Sequence, residues 1–365
     1  MTFPDAALRA TCQRFLSGHV PRTQRAWLEY LATSPLADSA LDFYGEGPAL
    51  ALFEQEVAAL LGKEAAVFVH KGIIAQQMAL RVWAEQTGRY TVALHPRSHI
   101  DSDEKGAYER LQHLVGLRAG EDHRPFTLQE LKGLHEPCGA IVVELPLRRA
   151  GFKLLPWDEL ASLSAWAHKQ KIPLHFDGAR LWESGPFYGR SYAEIAALAD
   201  SIYVSFYKGL GGLAGCMLAG SKDFIDETRA WKTRLGGDVF TSFPYVLAAY
   251  EGLHHHLPKM TGYVAHAQEI AAALGRLAGI TVVPDPPHTN SFQVYLYAPY
   301  QALQREAEQL AKTEHMWLFN MLKETALPSV TLGEIVIGDA AEQWTTEEIV
   351  DTMKIFLRSA QKSEA

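Results

Sequence analysis

At 365 residues the chain is long for a single core, and 48% hydrophobic with 21% charged residues marks an ordinary globular protein, expected as a large domain and a smaller one. Its formal net charge of -8 is spread without a basic stripe, which argues against a nucleic-acid partner. The opening MTFPDAALRATCQRFLSGHV carries an acid early and no long apolar core, so neither a signal peptide nor a membrane span is expected, and the protein should be cytoplasmic.

Helical spacing over residues 5–17 and 22–33 predicts an N-terminal helical arm, assigned to residues 1–45. Cys12, Cys138 and Cys216 lie far apart and in no CxxC pairing, so buried reduced thiols are expected. Helix 49–61, strand 65–70 and helix 73–85 open an alternation that continues with strands near 90–95, 113–118, 139–145, 172–176, 200–206 and 213–219. Helical runs such as 156–170 and 191–198 separate them. This predicts an α/β domain over residues 46–262 with a mostly parallel sheet covered by helices. Beyond Ser221, helical runs 222–235 and 241–277 lead to strands 280–284 and 291–297, a helix near 300–312, strand 330–338 and a last helix 346–361. The tail reads as a small C-terminal α/β domain over residues 263–365, with no low-complexity linker or internal repeat before it.

Two segments carry the chemistry. Leu174-His175-Phe176-Asp177-Gly178-Ala179-Arg180 and Ile202-Tyr203-Val204-Ser205-Phe206-Tyr207-Lys208-Gly209-Leu210-Gly211-Gly212 are apolar runs that each end in a charge and then glycine. Each charge therefore sits where a parallel strand gives out into an open loop, the edge at which such sheets bind ligands. An aspartate and a lysine at one edge suit a pyridine aldehyde cofactor: the lysine would form the Schiff base, and the aspartate would keep the ring nitrogen protonated as an electron sink. Asp177-Gly178 is equally a turn or cap signal, and lysine is ordinarily solvated. The apolar and glycine-rich flanks of Lys208 favour partial desolvation, which lowers an amine's pKa toward the neutral nucleophile.

The pair HFDGAR and SFYKGLGG, in that order and spacing, resembles the L-threonine aldolase and β-eliminating lyase group of fold type I pyridoxal phosphate enzymes. The resemblance covers residues 42–295 and takes in Tyr44-Gly45, Phe68-Val69-His70-Lys71-Gly72, Ser98-His99-Ile100 with Glu104, Glu144 ahead of Gly151, Leu235-Gly236-Gly237 and Thr289-Asn290. It implies a fold type I architecture with pyridoxal 5'-phosphate on Lys208 and Asp177 at the ring nitrogen. His99 would stack on one ring face and act in proton transfer, with Ala179 under the other. Lys71, Gly72, Ile73 and the following helix amides, helped by Ser205, would hold the phosphate. Arg180 would bind the substrate carboxylate with its planar fork, unless it serves a salt bridge. Tyr44 would reach the site at an interface with a second chain, so a homodimer or homotetramer is implied. Lys208, His99 and Asp177 are the implied catalytic residues, and no metal is expected. The implied reaction is retro-aldol cleavage of a small, threonine-like β-hydroxy-α-amino acid to glycine and an aldehyde. The alternatives are β-elimination or another Cα carbanion reaction, and a cofactor-binding protein without turnover.

The departures bear on that reading. Lys71-Gly72-Ile73 stands where the family has Ser-Gly-Thr, and Phe240 stands where it places an arginine after the paired glycines. Lys71 would replace the lost charge, unless it points to solvent or pairs with Glu64. Leu147 occupies the place of a histidine credited with handling the β-hydroxyl. A positioned base is worth typically ~10²–10⁴-fold, so this loss counts against fast threonine cleavage. Residues 332–338 carry no arginine where the family tends to place a second carboxylate ligand.

Three other features have ordinary readings. Consecutive residues of a helix point about 100° apart, so His254-His255-His256 reads as a solvated helix and not a metal site. Trp27, Trp83, Trp157, Trp166 and Trp182 read as core and interface packing. Glycines 209, 211 and 212 lack the first-strand context of a dinucleotide fingerprint.

Overall fold

The structure is a computed structural model that describes residues 6–362. The chain divides into two compact units, Thr23–Pro258 and the described parts of Met1–Arg22 with Lys259–Ala365.

The first of these is built on a seven-stranded sheet. In chain order its strands are β1 (Ala65–Val69), β2 (Thr91–Leu94), β3 (Val115–Arg118), β4 (Ala140–Glu144), β5 (Leu174–Gly178), β6 (Ser201–Ser205) and β7 (Cys216–Gly220). Across the sheet they lie β1-β7-β6-β5-β4-β2-β3. Strands β3, β2, β4, β5 and β6 pair in parallel, whereas β7 runs antiparallel to both β6 and β1. The reversal follows from chain length: a parallel neighbour needs a crossover of about a dozen residues or more, and only residues 206–215 separate β6 from β7. Every residue of β5, β6 and β7 is buried, including the polar His175, Asp177, Ser201 and Ser205, so these strands show no polar, solvent-facing side.

Helix Gly72–Thr87 follows β1 and stops at Gly88, whose φ of 65° is the left-handed conformation that ends helices. Its Ala75, Met78, Ala79, Val82 and Trp83 join Val92, Val142 and Leu218 of β2, β4 and β7 in one core. Trp83 stacks on Phe224 at 4.5 Å and donates its indole N–H to Ser201 Oγ at 2.8 Å. Trp182 is fully buried and donates to the Ser205 carbonyl at 2.9 Å, so these two tryptophans are core residues. The helical run over 241–277 is interrupted: helix Phe243–His256 gives way to a 3-10 turn, Leu257–Lys259, before helix Met260–Leu274. Pro258 within the turn has no N–H to continue the ladder. His254 and His255 are exposed while His256 is buried, so the solvated reading holds for only two of the three.

The second unit carries an antiparallel sheet of β8 (Ile280–Val283), β9 (Ser291–Leu296), β10 (Met321–Glu324) and β11 (Thr331–Val336), in the order β10-β11-β9-β8. Helix Met260–Leu274 buries Met260, Tyr263, Val264, Ala267, Ile270, Ala271 and Leu274, an apolar stripe at spacings of three and four. Asn290, one of the family-like residues, is buried here and donates to the Ile337 carbonyl at 2.6 Å. The helical spacing at the start of the chain is only partly realised. Helix Ala6–Thr11 is followed by Arg14–Phe15, which pairs in parallel with Met316–Trp317. Trp344 fixes this arrangement by donating to the Phe15 carbonyl at 3.0 Å. All three cysteines are buried and unpaired. Among the described residues, no helix is long and apolar enough to cross a membrane.

Candidate active site

Register brings three side-chain positions into one row at the carboxyl edge of the sheet: Glu144 of β4 lies beside Asp177 of β5, which lies beside Tyr203 of β6. Asp177 is 2% exposed and accepts a hydrogen bond from the Ala179 amide at 3.2 Å. Lys208, on the loop after β6, is half-buried, and its Nζ lies 5.9 Å from the centre of the Tyr207 ring. Desolvation holds the Lys208 amine below the usual lysine range, and the Arg180 charge adds to this against the pull of Asp177 and Glu144. The loop is pinned immediately after it. Gly209 donates its amide to Glu183 Oε1 at 3.1 Å, so closely that a Cβ at this position would overlap the carboxylate. Glu183 itself is buried, and burial raises its pKa.

His99 opens the short helix His99–Ser102 and is held at two points. Its amide donates to Glu144 Oε2 at 2.7 Å, and its Nδ1 lies 3.1 Å from Glu104 Oε1. Glu104 is buried and is held in turn by Gln77 Nε2 at 3.2 Å. Burial lowers the His99 pKa, but the Glu104 hydrogen bond and the Asp177 charge outweigh it, so the net shift is upward. Burial, reinforced by Asp177, raises the Glu144 pKa. The other oxygen of Glu144 accepts the Arg148 amide at 3.2 Å, and Leu147 beside it is 1% exposed. No titratable side chain stands at position 147.

Toward the far end of the row, Lys71 caps helix Gly72–Thr87 with extended backbone and an exposed side chain. Its ammonium has no ion pair or hydrogen bond among the described residues, and Glu64 is committed to the Lys222 amide at 2.8 Å. Gly72 is buried, with Ile73 half-buried behind it. The absence of a Cβ at Gly72 lets the Tyr203 hydroxyl approach its Cα, and the Tyr203 hydroxyl lies 3.3 Å from that of Tyr207. Ser205, read as a phosphate ligand, is 1% exposed and donates its hydroxyl to the Ala179 carbonyl at 2.6 Å. Its proton is thus already engaged. Ala179 is 7% exposed, and Arg180 is half-buried with its guanidinium 5.3 Å from the centre of the Phe152 ring. Tyr44 is 63% exposed, with its ring against Phe240 at 5.5 Å and a positive φ of 49°. Lys232, whose spacing carried no signal, is 5% exposed and paired with Asp238 at 3.1 Å.

The arrangement offers an amine of lowered basicity, a buried carboxylate, a carboxylate-oriented imidazole and a guanidinium, all on neighbouring strand ends. Glu183, Tyr203, Tyr207 and the Glu104 contact to His99 were not legible as site features. Tyr203 and Tyr207 lie in the lysine segment and Glu104 follows the family-like Ser98-His99-Ile100, whereas Glu183 lies in no segment that was singled out.

A family model described as beta-eliminating lyase matches residues 15–298. The chain is 30% identical over 227 residues to "Probable low-specificity L-threonine aldolase" of Schizosaccharomyces pombe, an alignment that covers 60% of this chain and spans 59% of that relative's length. It is 29% identical to "Probable low-specificity L-threonine aldolase 2" of Arabidopsis thaliana, over 69% of this chain and 74% of the relative. A solved structure from Listeria monocytogenes, described as a "putative L-allo-threonine aldolase", superposes with a TM-score of 0.89 at 35% identity, covering 97% of this chain and 98% of that one.

Proposed function

The chain belongs to the beta-eliminating lyase family, and on that footing we propose that it is a pyridoxal phosphate-dependent lyase that cleaves a small β-hydroxy-α-amino acid to glycine and an aldehyde. The observation that carries this is the convergence of Lys208, Asp177, Arg180 and His99 on adjoining strand ends. The residues fit the cofactor: a lysine of lowered basicity for its aldehyde, a buried carboxylate for its ring nitrogen, and a glycine at the start of a long helix for its phosphate. When bound, the cofactor supplies an electron sink for the charge left at Cα when a bond to that carbon breaks.

The chain's own groups divide the remaining work. Lys208 Nζ would be the point of attachment, Asp177 would keep a proton on the ring nitrogen, and His99 and Ala179 would pack against the ring. Lys71, Gly72 and Ile73 with the helix amides hold the phosphate. Arg180 grips the substrate carboxylate; Arg180→Ala should raise KM by about ten- to hundredfold, since hydrogen bonds to charged groups contribute roughly 1.5–3 kcal/mol, with a smaller change in kcat. Initial rates over a range of amino acid concentration check this. Glu104 accepts the Nδ1 proton of His99, which leaves Nε2 with the lone pair that takes the β-hydroxyl proton, directly or through a water.

The pH dependence has a definite sign. As a base His99 must be neutral, so activity falls as pH drops through its raised pKa, and the acid limb should lie above that of an ordinary histidine. Glu104→Gln removes a raising influence, and the limb of the kcat profile should move to lower pH. An unmoved limb would take His99 out of the titration.

A second reading, β-elimination, is favoured by one observation: apolar Leu147 stands buried at the end of the Glu144 loop. A panel of amino acids with identified products decides between them. Glycine plus an aldehyde supports the aldolase reading, ammonia plus a keto acid supports elimination, and no product from any of them leaves a binding protein. We further read the protein as a cytoplasmic homodimer or homotetramer, with exposed Phe43, Tyr44 and Phe240 at the interface.

A further inference from the structure

The phosphate of the cofactor carries about -1.5 to -2 charges near neutral pH, and the resemblance puts Ile73 and Phe240, which offer neither a hydroxyl nor a cation, at two of the positions that would face it. The hydroxyl of Ser205 is spent on the Ala179 carbonyl. Two phenols stand at the same place. Tyr203, 3% exposed, reaches from the middle of β6 to Gly72, where only a glycine leaves it room. Its hydroxyl is 3.3 Å from that of Tyr207, and among the described residues each phenol has the other as its side-chain hydrogen-bond partner.

Two hydroxyl protons serve one hydrogen bond, so one is left over. If Tyr207 were the donor, the unused proton would be that of Tyr203, buried against Gly72 at the cost of an unsatisfied donor. With Tyr203 donating, the unused proton belongs to the half-buried Tyr207, which can direct it outward to an acceptor. Tyr207 also adjoins Lys208, whose Nζ lies over its ring at 5.9 Å. Tyr207 thus lies beside the amine that would take the cofactor's aldehyde, with its hydroxyl against the phenol that touches the helix start at Gly72.

We propose that Tyr207, oriented by Tyr203, donates a hydrogen bond to the cofactor phosphate and replaces the hydroxyl missing at position 73. The proposal rests on the reading of this site as a pyridoxal phosphate site. Burial keeps both phenols protonated: it raises Tyr203 well above its ordinary value and Tyr207 to about 12, so the pair meets an anion as a donor. Tyr207 is a binding residue in this account, and Tyr203 a positioning residue.

Pyridoxal, which lacks the phosphate, separates the possibilities. Equilibrium dialysis of the apoprotein against pyridoxal phosphate and against pyridoxal should show the dissociation constant of Tyr207→Phe rising about ten- to hundredfold for the first, while that for pyridoxal stays within about twofold. Tyr203→Phe should show the same selectivity with a smaller loss, about two- to tenfold. It provides a second readout if Tyr207→Phe is unstable. Unchanged pyridoxal phosphate affinity in both variants, or equal losses of both ligands in protein whose circular dichroism is native, overturns the proposal. A wild-type protein that binds neither ligand, and yields no borohydride-fixed lysine, overturns the cofactor reading itself.

Discussion

Lys208→Ala should yield a colourless protein whose turnover is lower by more than about 10³-fold, since loss of a positioned base alone typically costs ~10²–10⁴-fold and the covalent hold on the cofactor goes with it. Lys208→Arg should not rescue, because a guanidinium remains charged and cannot act as the amine. Borohydride reduction of the wild-type protein should fix the cofactor to the peptide that contains Lys208; fixation at Lys71 or Lys232 would move the site. The amine has its own pH signature. Burial and Arg180 lower its basicity, so capture of the aldehyde by apoprotein should reach half its maximal rate well below the pH an ordinary lysine requires. Arg180→Ala removes a nearby cation, the amine becomes more basic, and the midpoint should shift upward. A downward shift would contradict the electrostatic account.

Asp177→Asn should cut kcat by about 10- to 1000-fold, the equivalent of the 1–3 pKa units by which a close opposite charge typically holds a proton. KM should change little, because on the proposed reading the carboxylate meets the cofactor and not the substrate. Wild-type kcat in Asp177→Asn would remove the electron-sink argument. The contrast with Arg180→Ala, which should act mainly on KM, is what separates the two roles.

The central strands were legible because each gives a local signal. β5 and β6 are mostly apolar and buried, and a charge followed by glycine comes at the end of the first and just beyond the end of the second, which directs Asp177 and Lys208 to one edge. The direction of β7 has no such signal. It depends on the shortness of the 206–215 connection, and its apolar run looks like that of its parallel neighbours. The same limit applies within the site. The approach of Tyr203 to Gly72 joins residues on a strand and a helix far apart in the chain, and the engagement of Ser205 by Ala179 depends on where β5 turns. Glu183 follows Arg180 on the next helix turn, and nothing in that spacing announces that its carboxylate seats the Gly209 amide. At the start of the chain the helical spacing of residues 5–17 is genuine, yet a pairing with Met316–Trp317 draws Arg14–Phe15 into a strand.

That pairing also sets a schedule for synthesis. Cys12 Sγ approaches the Ala311 carbonyl, a partner 299 positions later, and Arg14–Phe15 finds its strand only beyond that. At about 5–20 residues per second, a ribosome leaves this leading segment without its partner for roughly 15–60 s, while all of Thr23–Pro258 emerges and can fold as a unit between the two halves. The C-terminal unit is thus closed by residues made hundreds of positions earlier, and a nascent protein halted before Met316 would hold all of Thr23–Pro258 while Arg14–Phe15 still lacks its partner.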